Sequence, residues 1–306
     1  MLAGRPLDKP DPATDGRAPP AGTAPARPAE LEDWLNRNLY HPLSIRLARG
    51  LERTFVTPNM VSGAGGVTVA AAGLVYVLFD SIAGAVCGLA LHMAWHVLDG
   101  ADGDLARLTG RASRYGETVD GLSDYAGHFV LYLLLASVLG AQIGPVGWVL
   151  MIVTGLVRIP QTVFYETQRR QYQWWVYGKE WVRISATTRD ADSGIVGAIL
   201  RFYLWLSSLL EADGGRLDTA LEEADDAQRA QLRSVITARF PAVLWPLSLL
   251  SSNYRTIGIG LAMILGSPIY YVFFELIGLT VLMLVLMGRA KRTIAEVRDQ
   301  AESNAR

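Results

Sequence analysis

The sequence predicts an all-α membrane protein, a bundle of six transmembrane helices preceded by an interfacial amphipathic helix. The mean hydropathy of the 306 residues is +0.23 and 19% of them are charged, whereas about a quarter of the residues in soluble domains are charged. Several stretches of about twenty residues contain no Asp, Glu, Lys or Arg, and that length crosses a bilayer as a helix. The single cysteine, Cys87, excludes an internal disulfide framework and a multi-cysteine zinc site.

Two segments precede the predicted spans. Residues 1–30 hold seven of the fourteen prolines. Such a segment buries too little apolar surface to fold, so we predict a disordered tail. Residues 31–56 mix apolar side chains such as Trp34 and Leu43 with several arginines. This pattern predicts the interfacial amphipathic helix, interrupted near Pro42.

Six apolar segments follow, at residues 59–79, 81–98, 116–139, 146–164, 241–265 and 269–287. They group into residues 57–165 with spans one to four, and residues 241–288 with spans five and six. The last two contain Arg255 and Glu275, and a charge in a membrane segment usually faces the bundle interior. We expect Arg255 either to bind a substrate phosphate or to lie at the membrane edge, with Glu275 as a candidate partner.

The basic residues predict the orientation. They lie before span one, between spans two and three, between four and five, and after six. By the positive-inside rule, both termini, the tail 289–306 and residues 99–124 face the cytoplasm, here of the inner membrane. We expect the insertion 166–240 to be a cytoplasmic subdomain lying partly on the bilayer. Its acidic run 211–226 would be a solvated face, and its tryptophans would be interfacial anchors: Trp174, Trp175 and Trp181.

Four aspartates at the end of span two and the beginning of span three form a candidate chemical site. Asp99 and Asp102 are three residues apart, and Asp120 and Asp124 are four apart, so each pair shares one helix face. Two helices joined by a short turn can place all four in one pocket, where cations would have to neutralise their repulsion. Oxygen ligands favour Mg²⁺, Mn²⁺ or Ca²⁺ over zinc. Such cations commonly grip a pyrophosphate during in-line phosphoryl transfer.

The residues beside these aspartates suit a nucleotide. Gly103 and Ala106 keep the helix surface bare, and Arg107 lies one turn beyond Gly103, where it could clamp a phosphate. Asp104 is about 200° around the helix from Asp102, so we expect it to be solvated.

Three histidines lie near the motif. His92 and His96 are four residues apart on span two, and His128 follows the second aspartate pair. Without a nearby cysteine or further ligand, packed and hydrogen-bonded histidines are favoured over a metal site.

The stretch from Asp99 to Asp124 resembles the signature of the CDP-alcohol phosphotransferases, D-x2-D-G-x2-A-R-x8-G-x3-D-x3-D, at all eight fixed positions and every spacing. The beginning of span one, Thr57-Pro58-Asn59-x2-Ser62, resembles the family as well. The resemblance implies cleavage of the pyrophosphate of a CDP-alcohol, transfer of the phospho-alcohol unit to a hydroxyl acceptor, and release of CMP.

The resemblance also implies roles for single residues. Asp99, Asp102 and Asp120 would bind metal, and Asp124 would bind metal and serve as the catalytic base for the attacking hydroxyl. Contacts to the CDP moiety would come from Asn59, Ser62, Gly103, Ala106, Arg107, Ser113 and Gly116. The cofactor would be Mg²⁺ or Mn²⁺, as two ions. The partners would be the CDP-alcohol donor, the hydroxyl acceptor, membrane lipid and a second copy in a homodimer, without nucleic acid.

Two other protein classes place acidic residues on membrane helices. A prenyl-type transferase normally has two Asp-rich runs on distant helices, whereas both pairs here lie within residues 99–124. A cation transporter needs carboxylates at mid-membrane, whereas these lie beside the basic residues that mark the boundary. Phospho-alcohol transfer in phospholipid biosynthesis is therefore preferred. The favoured substrates are CDP-diacylglycerol and a polar acceptor; the alternative is a soluble CDP-headgroup with a lipid or inositol-phosphate acceptor.

Overall fold

The computed structural model describes residues 28–111, 116–179 and 194–304, and throughout these ranges the secondary structure is helical, without strands. Five helices are long and apolar enough to cross a membrane: Pro58–Leu78, Ile82–Thr109, Thr118–Ile143, Pro145–Tyr177 and Ile269–Gln300. The prediction of an all-α polytopic bundle is therefore confirmed. The predicted tail 1–30 lies almost wholly outside the described residues.

The helices run in the following order. A 3₁₀ turn and a π-helical segment lead into the first α-helix: Ala29–Leu31, Asn36–Tyr40 and α1 (His41–Leu51). Four long helices come next: α2 (Pro58–Leu78), α3 (Ile82–Thr109), α4 (Gly116–Ile143) and α5 (Pro145–Tyr177). Four shorter helices follow: α6 (Ile195–Leu210), α7 (Gly214–Glu223), α8 (Asp226–Arg239) and α9 (Pro241–Leu247). The chain ends with a 3₁₀ turn (Ser248–Leu250), α10 (Ser252–Ile264), α11 (Ile269–Phe273), a π-helical segment (Phe274–Leu279) and α12 (Thr280–Asn304).

The predicted fifth span, residues 241–265, is not one helix. Pro246 lies within the short helix α9, a 3₁₀ turn follows, and Ser251 then adopts an extended backbone with φ −71° and ψ 164°. The 13 residues of α10 extend only about 20 Å, less than the hydrocarbon thickness of about 30 Å. The described residues thus contain five candidate spans rather than the six predicted.

The chain forms two compact units. We call the first the membrane unit; it comprises the described residues 28–111, 116–166 and 245–286. Its core joins α2, α3, α4, α10 and α11 through buried apolar side chains, among them Val69, Trp95, Leu131, Ile259 and Tyr271. The second, which we call the insertion unit, comprises the described residues 167–179, 194–244 and 287–304.

Small residues let α2 and α4 approach closely in the membrane unit. A β-carbon added at Gly66 would lie 2.5 Å from the carbonyl oxygen of Ser123, and one at Gly127 would lie 2.5 Å from that of Gly66. Side chains at either glycine would force the backbones apart. Ser123 directly precedes Asp124, so this contact fixes the depth of that aspartate against α2.

The N-terminal segment packs on α3 without the predicted break at Pro42. The π-helical segment passes directly into α1, and the N–H of His41 donates to the carbonyl oxygen of Asn36, so the helical backbone continues through Pro42. The hydroxyl of Ser44 donates to the carbonyl oxygen of Val97 at 2.9 Å. A β-carbon at Gly100 would lie 2.5 Å from that hydroxyl oxygen. Residue 100 is therefore a glycine because α1 crosses α3 at this position.

The insertion unit has a polar and aromatic core of its own. The indole N–H of Trp175 donates to Asp218 at 2.6 Å, and the ring of Phe240 packs edge-on against Trp175 at 5.0 Å. Arg239 pairs with Glu296 of α12 at 2.9 Å. Trp175 is fully buried, so its prediction as an interfacial anchor was wrong, as was that of a solvated side chain at Asp218. Trp181 lies outside the described residues.

Candidate metal and nucleotide site

Three of the four predicted aspartates meet in one cluster. Carboxylate oxygens of Asp99 on α3 and of Asp120 and Asp124 on α4 all lie within 4.8 Å of one another. The three residues are half-buried. Three oxygen ligands from two helices at this spacing fit a hard divalent cation, which would also neutralise their mutual repulsion.

Asp102 lies beside this cluster, one turn along α3. It contacts Asp120, and its Oδ2 accepts a hydrogen bond of 2.5 Å from the hydroxyl of Ser62 on α2. The backbone N–H of Gly103 donates to the other carboxylate oxygen at 2.5 Å. Both Asp102 and Ser62 are buried. Three helices therefore meet at this carboxylate, and Ser62 contacts the motif through Asp102.

Asp124 has a partner that the motif does not include. The indole N–H of Trp95 on α3 donates to Asp124 Oδ1 at 2.6 Å. Trp95 precedes Asp99 by one helical turn, so both side chains lie on the same face of α3. That spacing was the available sequence signal, and it was missed because a tryptophan in an apolar span is normally a packing residue.

Arg107 points back along α3. Its Nη2 lies 2.5 Å from Asp104 Oδ1, and its Nη1 would lie 3.4 Å from a β-carbon at Gly103. The prediction that Asp104 is solvated was wrong, because Asp104 is 6% exposed and faces a groove of the N-terminal segment that includes Arg37 and His41. The Arg107 side chain itself is 60% exposed and is accessible to a ligand phosphate.

Three of the other predicted nucleotide contacts lie on α2, α3 and α4. Asn59 is exposed in the first turn of α2, where Thr57 caps the helix by accepting from the N–H of Met60. Ala106 is half-buried on α3, and Gly116 is the half-buried first residue of α4. Ser113 lies outside the described residues.

The three histidines form a packed group, as the sequence predicts. His92 and His96 are buried and share the hydroxyl of Thr256 on α10, at 3.3 Å and 2.9 Å. Nδ1 of His128 donates to the carbonyl oxygen of Asp124 at 2.8 Å. Tyr40 stacks on His96 with ring centroids 4.7 Å apart, and burial together with Asp33 raises its pKa to about 12. These contacts pack the three histidines against Thr256, Tyr40 and the backbone of Asp124.

Arg255 belongs to a buried ion pair. Its Nε lies 3.0 Å and 3.2 Å from the two carboxylate oxygens of Glu275, its Nη2 donates to Gln161 at 2.7 Å, and its Nη1 donates to the carbonyl oxygen of Leu250. Each of the three guanidinium nitrogens has a protein partner, and the residue is 2% exposed. These partners do not fit the expected contact with a substrate phosphate. Because α10 begins at Ser252, Arg255 lies in the first turn of its helix, and its place at the membrane edge stays a prediction. The pairing with Glu275 is confirmed.

The fold and the site together define a polytopic membrane protein with a carboxylate cluster suited to divalent cations and an exposed arginine beside it. The signature that carries the cluster lies within a family match. A CDP-alcohol phosphatidyltransferase model matches residues 55–209, just over half of the chain. The chain belongs to this family of transferases, which confirms the resemblance. Comparison with curated proteins gives no match.

Proposed function

We propose that the protein transfers a phospho-alcohol unit from a CDP-alcohol to a hydroxyl acceptor with release of CMP, using divalent cations held by Asp99, Asp102, Asp120 and Asp124. The observation that carries the proposal is the meeting of three of these carboxylates within 4.8 Å in a chain of this family. Mg²⁺ or Mn²⁺, as two ions, would polarise the pyrophosphate and stabilise the charge that develops on it.

Other residues of the chain bind the nucleotide and the donor phosphate and accept the proton of the acceptor. Gly103 and Ala106 leave the surface of α3 open to the cytidine nucleotide, with Asn59 at its edge. Arg107 exchanges Asp104 for a phosphate oxygen of the donor, where its fork of N–H donors can bind two oxygens. A carboxylate oxygen of Asp124 accepts the proton of the acceptor hydroxyl as that hydroxyl attacks the phosphorus atom that carries the alcohol. The bond to CMP then breaks, and CMP leaves with the electron pair.

For the substrate pair, we propose CDP-diacylglycerol as donor and a small polar alcohol as acceptor, in phospholipid biosynthesis at the cytoplasmic face of the inner membrane. The basic residues flanking the motif support this orientation by the positive-inside rule. The alternative pair is a soluble CDP-headgroup with a lipid or inositol-phosphate acceptor. Both pairs use the same aspartates, so a substrate assay has to distinguish them.

The test is CMP release by the full-length protein in lipid nanodiscs with Mg²⁺. CDP-diacylglycerol and soluble CDP-alcohols are offered separately, each with a panel of polar and lipid acceptors. We expect release from CDP-diacylglycerol that depends on a polar acceptor. Release only from a soluble CDP-alcohol would replace the favoured pair with the alternative, and no release from any donor would contradict the proposed function.

For the insertion 166–240, we propose that α6 lies on the bilayer surface. Its outward residues Phe202, Trp205 and Leu209 are all more than half exposed, whereas Ser207 is buried and shares a hydrogen bond of 2.8 Å with Thr167 of α5. A helix that enters the hydrocarbon at Pro145 leaves it after about 20 residues. Thr167 would therefore lie just outside the hydrocarbon, at the depth where interfacial helices bind.

Spin labels can test this arrangement in nanodiscs. Labels are attached to cysteines introduced at Trp205 and Leu209 in a Cys87→Ser background, with a label at the exposed Glu222 of α7 as the aqueous control. We expect labels at positions 205 and 209 to relax strongly with oxygen and weakly with a water-soluble nickel complex, and the control to behave oppositely. Strong relaxation by nickel at position 205 would show that α6 faces water.

A further inference from the structure

We infer that Trp95 is a positioning residue for the proposed base Asp124, fixing one carboxylate oxygen so that the other faces the reacting groups. This inference rests on the proposed function. It starts from a buried contact between two helices: the indole N–H of Trp95 on α3 donates to Oδ1 of Asp124 on α4 at 2.6 Å. Trp95 is 5% exposed, and the N–H of a buried indole ring usually needs a hydrogen-bond acceptor.

The indole ring is held on several sides. A β-carbon at Gly65 of α2 would lie only 3.3 Å from its Cδ1, so α2 passes directly over the ring. The ring of His128 packs edge-on against it at 4.5 Å, and the ring of His96 lies at 4.3 Å. A ring fixed by neighbours on α2, α3 and α4 gives its N–H a defined direction.

His128 adds a second constraint on the same aspartate. Its Nδ1 hydrogen-bonds the backbone carbonyl oxygen of Asp124 while its ring contacts Trp95. Asp124 is therefore fixed at its backbone by His128 and at Oδ1 by Trp95. A carboxylate oxygen of Asp124 lies within 4.8 Å of oxygens of Asp99 and Asp120, in the cluster where a cation and the acceptor hydroxyl would meet.

This arrangement has a chemical consequence. A carboxylate that serves as metal ligand and base must present one oxygen in a constant direction, because small misplacements reduce catalysis strongly. Hydrogen-bond partners of metal ligands typically change metal affinity or activity by about 10- to 100-fold when they are removed. A ring that only filled space would contribute packing but would not depend on its N–H.

The experiment replaces the N–H without changing the shape of the ring. Benzothienylalanine, which carries sulfur in place of the indole N–H, is incorporated at position 95 of the full-length protein in nanodiscs. The same analogue at Trp148, a partly exposed tryptophan of α5, is the matched control. Three quantities are measured for each protein: kcat and KM for CMP release, the Kd for Mn²⁺ by electron paramagnetic resonance, and the melting temperature.

At position 95 we expect kcat to fall at least tenfold and the Kd for Mn²⁺ to rise about tenfold. KM for the CDP-alcohol and the melting temperature should stay near the wild-type values, because the nucleotide contacts and the packing are intact. The control should match wild type. Values of kcat and Kd within threefold of wild type would overturn the inference. So would a loss of kcat together with a lower melting temperature and a raised KM, since that pattern describes a packing role.

Failure of the proposed function would be recognised separately. If the wild-type protein released no CMP from any donor, that function would fall, and the Mn²⁺ affinity of the position-95 variant would decide the inference without turnover. An unchanged Mn²⁺ affinity would then overturn it.

Discussion

Asp124→Asn is expected to lower the rate of CMP release at least 100-fold while leaving the protein folded. The amide cannot accept a proton from the acceptor hydroxyl, and general base catalysis contributes about 10² to 10⁴ in rate. The amide oxygen can still accept the hydrogen bond from Trp95, so the contact between α3 and α4 can persist. Initial rates in nanodiscs, with melting curves on the same samples, provide the measurement.

The matched control for this variant is Asp80→Asn. Asp80 is exposed in the connection between α2 and α3, so the same chemical change there should leave the rate near that of wild type. A rate above about one tenth of wild type in Asp124→Asn would remove Asp124 as the base. The metal ligands would then have to be tested for that role.

Removal of divalent cations is the second change with a large expected effect. Excess chelator should abolish CMP release, and added Mg²⁺ or Mn²⁺ should restore it, because the clustered carboxylates of Asp99, Asp120 and Asp124 leave the pyrophosphate without charge stabilisation when no cation is bound. The rate is measured against free cation concentration, with a melting curve in chelator to show that the bundle remains folded.

A double variant tests whether the dependence of CMP release on divalent cations arises from the aspartate cluster. Asp99→Asn with Asp120→Asn removes two of the three clustered carboxylates and should abolish measurable binding of Mn²⁺. Undiminished CMP release in excess chelator would contradict the assignment of the metal site. Wild-type Mn²⁺ affinity in the double variant would place the cation elsewhere in the chain.

The sequence predicted the part of the site that follows from spacing within one helix. Asp99 and Asp102 share a face of α3, Asp120 and Asp124 share a face of α4, and the structure brings three of the four together. The sequence could not predict the hydrogen bond between Trp95 and Asp124, because 29 residues separate them along the chain and they lie on different helices. The burial of Asp104 depends likewise on the N-terminal segment that packs against α3.

The fold was predicted best where hydropathy alone determines it. Five of the six predicted segments correspond to candidate spans, and all of these spans except α2 continue beyond the C-terminal end of the predicted segment. The region 241–265 was misjudged because hydropathy averages over the bend at Ser251. The ion pair of Arg255 agrees with the rule that a charge in a membrane segment faces the interior of the bundle. Only the structure identified Gln161 and Leu250 as its further partners.

The pairing of Arg255 with Glu275 also bears on how the chain enters the membrane during synthesis. Arg255 lies on α10, and its counter-ion emerges from the ribosome 20 residues later. An arginine without a counter-ion is costly to place in the hydrocarbon, and α10 has only 13 residues to offset that cost. We therefore expect α10 to remain outside the hydrocarbon until the segment with Glu275 arrives, so that the two insert together as a neutral hairpin.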